Sequence, residues 1–398
     1  MEIFVYCDHN ATTPPDSRVV KKMHWVAREV WGNPSSPHRA GQAAKGYLEE
    51  SRTVVAEFLG ARPSEIVFTS SGTEADNLAI FGIAYAQRRK GRHVVTTAVE
   101  HHAVLSAVER LAHLGWEATT LPVDRYGMVN QEQFCAVLRD DTVLASVMLA
   151  NNEVGTVQPI SKLAGIAHER GVLFHTDAVQ AIGKVPVDVG ELGVDLLAVS
   201  AHKFYGPKGV GALYIRTGTM IDAHIFGGEQ EGTLRSGTEN VPAIAGMAEA
   251  MRLLQERPDP NEHAVRIAKE FIGKLFSAIP GITLNGHPEQ RIKSTVNVGF
   301  AGVNGEALVI ALDLRGICVS SGAACSTGAI EPSHVLTAMG FSQAETESSL
   351  RFSFGKMNRP EDVDVIVEVL AAEVERLRRM SPLYRAGDFS SRVTDASP

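Results

Sequence analysis

Between residues 65 and 200, short apolar runs alternate with longer segments in which apolar residues recur every three or four positions. Short apolar runs bounded by turn residues predict buried strands, and the longer period predicts amphipathic helices. The pattern predicts strands at 66–69, 93–96, 117–121, 143–149, 172–175 and 194–199. Because helical segments separate most of these strands, the alternation predicts right-handed β-α-β units on a largely parallel sheet.

The flanking segments predict a second, smaller part. Helices are predicted at 16–31, 40–59, 74–89, 102–114, 130–139, 160–169 and 178–182. After a polar, proline-broken stretch at 255–260, helices at 261–278, 305–314 and 361–379 mix with strands at 295–300, 317–319 and 350–354. We therefore predict an α/β protein with a large, mostly parallel-sheet domain (14–258) and a smaller α+β domain (1–13 and 259–398).

Composition narrows the class of protein. The 398 residues, 44% of them hydrophobic, suit a soluble enzyme with a sizeable core, and the net charge of −8 argues against nucleic acid or an anionic membrane as partner. No apolar run could span a bilayer, and the N-terminus does not resemble a signal peptide. The four cysteines contain no CxxC pair, which argues against a disulfide framework or a zinc ribbon. We expect a cytoplasmic, reduced protein.

The strand at 194–199 is followed by Ser200, Ala201, His202 and Lys203. Open α/β sheets bind ligands beyond the carboxyl ends of their strands. A partly desolvated lysine there has a lowered pKa and can form a Schiff base. Taken alone, this stretch favours the interpretation of Lys203 as an ordinary surface lysine. The residues at the neighbouring strand ends favour a Schiff-base lysine instead.

Two other strand ends carry groups of opposite character. Ser71 and Glu74 fit a capping box at the start of a helix, where Gly72 and Thr73 offer N–H groups and a hydroxyl to an anion. Asp177 follows an apolar strand and must be paired if it is buried. It is either a cap for the next turn or a carboxylate for a cationic ring nitrogen, as pyridoxal chemistry requires.

Further strand ends carry His101 and Asn152. No third ligand with metal-site spacing accompanies His101 and His102, so an active-site ring is favoured over a metal pair. The strand ends together deliver an anion-binding turn, a ring, an amide, a carboxylate and a lysine. This set fits pyridoxal phosphate better than a dinucleotide, because no GxGxxG follows the first strand.

Specific motifs, spread over nearly the whole chain, add a resemblance. The chain resembles the pyridoxal-phosphate-dependent cysteine desulfurases of the nitrogen-fixation and iron–sulfur-assembly type. The motifs are DHNATT (8–13), GNPSS (32–36), SGTE (71–74), NNE (151–153), HTDAVQ (175–180), SAHK (200–203), RSGT (235–238) and SSGAAC (320–325). The resemblance implies an aspartate-aminotransferase-like fold (pyridoxal-phosphate fold type I) and a homodimer with its sites at the interface.

The resemblance also implies roles for individual residues. Lys203 would carry the cofactor as a Schiff base, Asp177 would pair with its ring nitrogen, and His101 would stack on the ring. Asn152 and Gln180 would contact the cofactor ring and its phenolic oxygen. The phosphate would be held by Gly72, Thr73, Ser200 and His202 of the same subunit and by Thr238 of the partner subunit. Arg351 would bind the substrate carboxylate, with Asn33 near it.

Two positions depart from the family pattern. Ala201 replaces the common glycine between Ser200 and His202. The segment 227–233, GGEQEGT, lacks a third glycine and an arginine that are common before Arg235. These departures affect details of the site and of an interfacial loop, and leave the chemistry in place.

The cysteines differ in their surroundings. Residues 320–328 are small and polar and lack apolar anchors, so a cysteine there is predicted to be exposed, whereas structural cysteines are usually buried. Cys325 is therefore the predicted nucleophile, and the family motif agrees. Cys135 and Cys318 are predicted to lie in the core, and Cys7 to be a small buried hydrophobe.

These residues give a mechanistic hypothesis. Lys203 removes the Cα proton of bound L-cysteine, the Cys325 thiolate attacks the substrate sulfur, and His101 acts as a further catalytic residue by handling a proton. A persulfide on Cys325 and L-alanine result. An iron–sulfur scaffold protein would accept the sulfur. No resident metal is expected, although Cys325 could contact a nascent cluster. A selenocysteine lyase, or another pyridoxal-phosphate lyase or aminotransferase, could share Lys203 and Asp177 and is the alternative.

Overall fold

The computed structural model describes residues 4–257, 259–321 and 332–381. Its strands are β1 Val5–Tyr6, β2 Ile66–Thr69, β3 His93–Thr97, β4 Glu117–Leu121, β5 Thr142–Ser146, β6 Leu173–Asp177, β7 Leu196–Ser200, β8 Gly211–Ile215, β9 Ile282–Asn285, β10 Thr295–Phe300, β11 Ile317–Cys318, β12 Ser320–Ser321 and β13 Ser349–Ser353. Its helices are α1 Ser17–Glu29, α2 Arg39–Leu59, α3 Gly72–Gln87, α4 His102–His113, α5 Gln131–Val137, α6 Ile160–Glu169, α7 Val189–Leu192, α8 Val241–Gln255, α9 Glu262–Ala278, α10 Gly305–Asp313, α11 His334–Ala338, α12 Gln343–Glu347 and α13 Pro360–Met380. Within these ranges, no helix is both long and apolar enough to cross a membrane.

The larger sheet has seven strands in the order β2-β8-β7-β6-β5-β3-β4. Neighbouring strands pair in parallel from β4 to β7, and β8 runs antiparallel to both β7 and β2. The predicted α/β class with a largely parallel sheet is therefore confirmed. The exception, β8, returns antiparallel beside β7 after the connection at 201–210.

Both faces of this sheet are covered. On β7, Leu196 and Ala198 pack into a cluster with Leu78 of α3, whereas Leu197 and Val199 pack into the cluster on the opposite face. Successive strand side chains point to opposite faces, so a strand that is buried on both sides is apolar throughout. This explains the unbroken apolar run that precedes Lys203.

The smaller part is built on an antiparallel sheet in the order β12-β13-β10-β9. Helices α9 and α13 pack together beside it, and the Phe271 ring centroid lies 4.8 Å from that of Phe352 and 5.2 Å from that of Phe354. Strand β1 pairs with β11, so the N-terminus joins this part. The predicted smaller α+β unit is confirmed, and the boundaries at 14 and 258 stay predictions.

The helix predicted at 178–182 is wrong. This segment forms consecutive turns, in which the Ala181 N–H donates to the Ala178 carbonyl and the Lys184 N–H donates to the Ala181 carbonyl. A left-handed Gly183, with φ of 72°, and Pro186 two residues after Lys184 prevent the turns from extending into a helix.

Candidate active site

A cavity of about 360 Å³ lies at the carboxyl ends of β6 and β7, beside the N-terminus of α3. Most of the predicted site residues line it: Gly72, Thr73, His101, Asn152, Asp177, Gln180, Ser200, His202, Lys203 and Arg351. A larger groove of about 790 Å³ beside α1 is lined mainly by apolar side chains and contains none of the predicted site residues. The smaller cavity is therefore the candidate active site.

Lys203 lies at the end of the single turn that follows β7. Its Nζ donates hydrogen bonds to the backbone carbonyls of Asn10 (2.7 Å) and Ala11 (2.9 Å). Burial, and then the nearby charge of Arg351, lower the pKa of Lys203 to about 8. A lysine with a lowered pKa retains a neutral, nucleophilic fraction near neutral pH.

Asp177 is the last residue of β6, and its side chain is buried at the edge of the cavity. One carboxylate oxygen accepts a 2.8 Å hydrogen bond from the Val179 N–H. Burial raises the pKa of Asp177, and the charges of His101 and Lys203 oppose this shift. A cationic group in the cavity would further favour the ionised carboxylate.

His101 caps the N-terminus of α4, where its Nδ1 accepts a 3.1 Å hydrogen bond from the Ala103 N–H. This contact leaves Nε2 to carry the proton of the neutral ring. His101 is exposed at the cavity, and partial desolvation by the surrounding protein, with the charge of Lys203, lowers its pKa. The neighbouring His102 points elsewhere, with its ring centroid 4.7 Å from that of His334.

The N-terminus of α3 forms the anion-binding side of the cavity. Ser71 Oγ accepts a 3.1 Å hydrogen bond from the Glu74 N–H, which is half of the predicted capping box. The other half is wrong, because the Glu74 carboxylate accepts from the Ser70 N–H and from Arg235 Nε instead of the Ser71 N–H. Gly72 and Thr73, in the first turn, line the cavity where a helix dipole favours an anion.

The segment between β7 and Lys203 accommodates its departure from the family pattern. Ala201 is fully buried, and a Cβ added to Gly206 would lie 2.8 Å from the Ala201 Cβ. Gly206 therefore leaves room for the extra methyl group. The next residue, His202, contacts Thr12 Oγ1 at 3.2 Å through Nδ1, and burial together with the charge of Lys203 lowers its pKa to about 4.

Arg351, on β13, brings the smaller part of the molecule into the cavity. Its Nη2 donates to Asp8 Oδ1 (2.6 Å) and its Nη1 to the Asn152 carbonyl (3.0 Å). The buried Nε finds no acceptor in the described part of the chain. Each Nη carries a second N–H, and Arg351 lines the cavity, so the guanidinium can still donate to a carboxylate ligand.

Three predicted residues are not placed in this cavity. Asn33 is exposed in the turn after α1 and accepts a hydrogen bond from the Ser35 N–H, and Thr238 is exposed before α8. Cys325 lies outside the described residues. The described chain that leads toward it, β12, pairs Ser320 with Arg351.

The sequence reasoning missed two polar lining residues, Asn10 and Asp76. Asn10 lies in the DHNATT motif, which could have drawn attention to it. Asp76 carried a weaker signal, a carboxylate just before the apolar run of α3. Its Oδ1 lies 3.5 Å from His175 Nε2, and burial raises its pKa well above the ordinary value.

The cysteine predictions are mixed. Cys7 is fully buried, as predicted. Cys135 and Cys318 are only half-buried, so their placement in the core is corrected. In each case the preceding residue, Phe134 or Ile317, occupies the core position and turns the cysteine away from it.

Known proteins share this fold and sequence. The aminotransferase class-V family model matches residues 5–366. The cysteine desulfurase IscS of Methanosarcina thermophila is 49% identical over 95% of this chain and 94% of its own length, and that of Dictyoglomus turgidum is 47% identical over 95% and 96%. A solved NifS-like protein superposes with a TM-score of 0.89 at 38% identity, over 94% of this chain and 100% of its own.

A second NifS-like structure, from Rickettsia africae, gives a TM-score of 0.85 at 31% identity, over 94% of this chain and all of its own. These likenesses cover both parts of the molecule, and they confirm the predicted aspartate-aminotransferase-like fold. The chain therefore belongs to the class-V aminotransferase family.

Proposed function

We propose that the chain is a pyridoxal-phosphate-dependent cysteine desulfurase. It converts L-cysteine to L-alanine and passes the sulfur, held as a persulfide on Cys325, to an iron–sulfur scaffold protein. The observation that carries the proposal is one cavity that combines Lys203, Asp177 and Arg351, in a chain similar to curated cysteine desulfurases. A similar structure, SspA in complex with cysteine (TM-score 0.79, 34% identity), supports the substrate.

The residues present fit the cofactor. A buried carboxylate at Asp177, a helix N-terminus at Thr73 and a lysine with a lowered pKa line the same cavity. Asp177 would hold the ring nitrogen, His101 would cover the ring, and Asn152 and Gln180 would contact its substituents. The phosphate would be held by Gly72, Thr73, Ser200, His202 and the partner subunit's Thr238.

Pyridoxal phosphate, when bound, supplies an electron sink for the charge left by removal of a Cα proton. Lys203 takes that proton and returns it, which its lowered pKa favours. Arg351 holds the substrate carboxylate and thereby orients the Cα–H bond. The Cys325 thiolate forms an S–S bond as the substrate C–S bond breaks, and the electron pair of that bond stays with the carbon that becomes the methyl group of alanine.

The same proposal includes a cytoplasmic homodimer. Thr238 and Asn33 lie outside their own subunit's cavity, and this supports contributions across a two-fold interface. The RSGT motif would then deliver Thr238 to the partner's phosphate site. Exposed apolar side chains such as Trp31 and Phe226 suit burial in such an interface.

The test follows the absorbance of the purified protein while L-cysteine is added, with alanine and persulfide assayed in the same sample. We expect a cysteine-dependent spectral change with stoichiometric alanine. Borohydride reduction and peptide mapping should label Lys203, and Cys325→Ser should abolish persulfide formation. An unlabelled Lys203, or parental alanine release by Cys325→Ser, would contradict the proposal. Turnover with keto acids in place of cysteine would indicate an aminotransferase.

A further inference from the structure

A second lysine lies beside the candidate active site. The Lys184 Nζ donates to Gln180 Oε1 (2.8 Å) and to Asn10 Oδ1 (2.9 Å). Burial, followed by the charges of Lys203 and Arg351, lowers its pKa to about 7. The proposed reaction gives Lys184 no role, although its amine points inward to two amides and lies close enough to Lys203 to be affected by its charge.

The contacts of Lys184 fix which way the Gln180 amide points. Because a protonated lysine can only donate, the oxygen of that amide must face Lys184. Its Nε2 then donates to the Asn10 carbonyl at 2.8 Å, and a carbonyl can only accept. The orientation is determined from both ends, and one N–H of Gln180, a residue that lines the cavity, remains for a ligand.

Asn10 is fixed in the same way. Its Oδ1 accepts from Lys184, and its Nδ2 donates to the Asn152 carbonyl (3.1 Å) and to Thr295 Oγ1 (2.9 Å). Asn10 is only 2% exposed, so loss of the lysine would leave a buried amide oxygen without its donor. The carbonyl of Asn10 also accepts from Lys203, which connects Lys184 to the catalytic amine through one residue.

We infer that Lys184 is a positioning residue that fixes the amides of Gln180 and Asn10, so that the cavity presents an N–H group, and not a carbonyl, to the phenolic oxygen of the cofactor. The inference rests on the proposed function, because that function supplies the oxygen anion. A neutral amine still has two N–H groups, so the orientation survives loss of the lysine's proton.

The test compares Lys184→Met, which keeps the length of the side chain but removes the donor, with Lys162→Met, which removes an exposed lysine on α6. Each holoenzyme is titrated with base and the absorbance of the Lys203-linked cofactor is followed. An N–H donor to the phenolic oxygen favours the deprotonated imine. Its loss in Lys184→Met should therefore raise the pH midpoint by about one unit and weaken cofactor retention about tenfold. Lys162→Met should match the parent.

A second variant covers the case in which Lys184→Met does not fold. Gln180→Glu keeps a partner for Lys184 but has no N–H group, and it should raise the midpoint in the same direction. A parental midpoint in either folded variant overturns the inference and leaves the proposed function intact. A parent protein without a reducible cofactor on Lys203 overturns both.

Discussion

The carboxylate of Glu231 is held inside the loop that departs from the family pattern. Both of its oxygens accept from Arg52 (2.7 and 2.8 Å), and one also accepts from the Phe68 N–H (2.9 Å). Arg52 donates in addition to the Ile66 carbonyl. The loop therefore has an anchor in helix α2 and strand β2.

Glu231→Ala should lower the free energy of unfolding by about 3–5 kcal/mol, because it leaves the guanidinium of Arg52 buried without its anion. Urea unfolding measures the change. The control is Glu256→Ala, which removes the partner of Arg18 in an exposed pair of similar length (2.9 Å) and should change stability by less than about 1 kcal/mol. Equal losses in the free energy of unfolding for the two substitutions would show that the buried pair stabilises the fold no more than the exposed pair does.

At this scale, sequence reasoning identified residues that directly follow strands, because β-α-β topology places those positions at one edge of the sheet. Lys203, Asp177 and His101 were found in this way. This reasoning could not identify Lys184, which lies in a series of turns, or Asp76, which lies inside helix α3. Only the three-dimensional packing shows that their polar atoms meet the cavity residues.

At the scale of elements, the N-terminus of α3 depends on close packing against the turns after β6. A Cβ added to Gly72 would lie 2.6 Å from Val179 Cγ2 and 3.4 Å from the Ser200 Cβ. Val179 directly precedes Gln180, and Ser200 lines the same cavity. The glycine therefore sets the distance between the anion-binding turn and the rest of the site.

Gly72→Ala should weaken cofactor retention about tenfold or more, since Val179 must move and carry Gln180 with it. Dialysis against cofactor-free buffer, followed by absorbance, measures the loss. Gly46→Ala is the matched control, because nothing lies within 4 Å of its added Cβ in the middle of α2. That variant should retain the cofactor and gain roughly 0.5–1 kcal/mol of stability. Parental retention in Gly72→Ala would contradict this role.

The Glu65 carboxylate joins the turn before β2 to the chain after β8 through hydrogen bonds. Partial burial disfavours the charge of Glu65, but hydrogen bonds from the N–H groups of Arg62 and Thr217 outweigh it and lower the pKa of Glu65 to about 2. A carboxylate with a lowered pKa stabilises the fold above its ordinary pKa of 4.5, and this contribution is lost as the pH falls toward about 2.

Glu65→Gln should therefore be less stable than the parent at pH 7, by about 1–2 kcal/mol, and the difference should shrink as the pH falls from about 4.5 to about 2. Chemical denaturation at a series of pH values measures both effects. Glu57→Gln, on the exposed side of α2, is the control and should follow the parent. A pH-independent difference would mean that the Glu65 charge contributes nothing.

Periodicity predicted most elements of the large sheet within a few residues. It missed β8, although Gly211–Ile215 is a five-residue apolar segment directly after a glycine-rich turn. It also predicted a helix at 178–182, where Asp177 caps a turn instead. Local patterns report burial, whereas the direction of a strand and the conformation of a short loop depend on partners distant in sequence.

At the scale of the whole molecule, the site joins both parts of the chain. The large sheet supplies Lys203 and Asp177, and the smaller part supplies Asn10 and Arg351. The motif resemblance predicted that both parts of the chain supply residues to the site. The distances and hydrogen-bond partners could not be predicted from motifs. The same limit applies to Thr238, whose proposed role requires a second subunit.

Co-expression of Lys203→Ala with Thr238→Ala chains tests that role. If Thr238 serves the partner's site, each mixed dimer has one site with both residues intact, and desulfurase activity should recover to about half that of the parent per mixed dimer. Thr238→Ala alone should retain the cofactor about tenfold less tightly. If Thr238 acts within its own subunit, mixed dimers contain no intact site and activity will not recover.

The hydrogen bond between Asn10 and Ser353 affects when the site can be completed during protein synthesis, because the two residues lie far apart in the sequence. Its N–H donates to Ser353 Oγ (2.9 Å), and the Ser353 N–H donates in turn to the Cys7 carbonyl (2.8 Å). A ribosome-bound chain has finished the large sheet long before residue 353 emerges. Until then Asn10 can accept hydrogen bonds from Gln180 and Lys184 but lacks the Ser353 acceptor for its own N–H, so a nascent chain can fold its sheet without yet presenting a finished site for the cofactor.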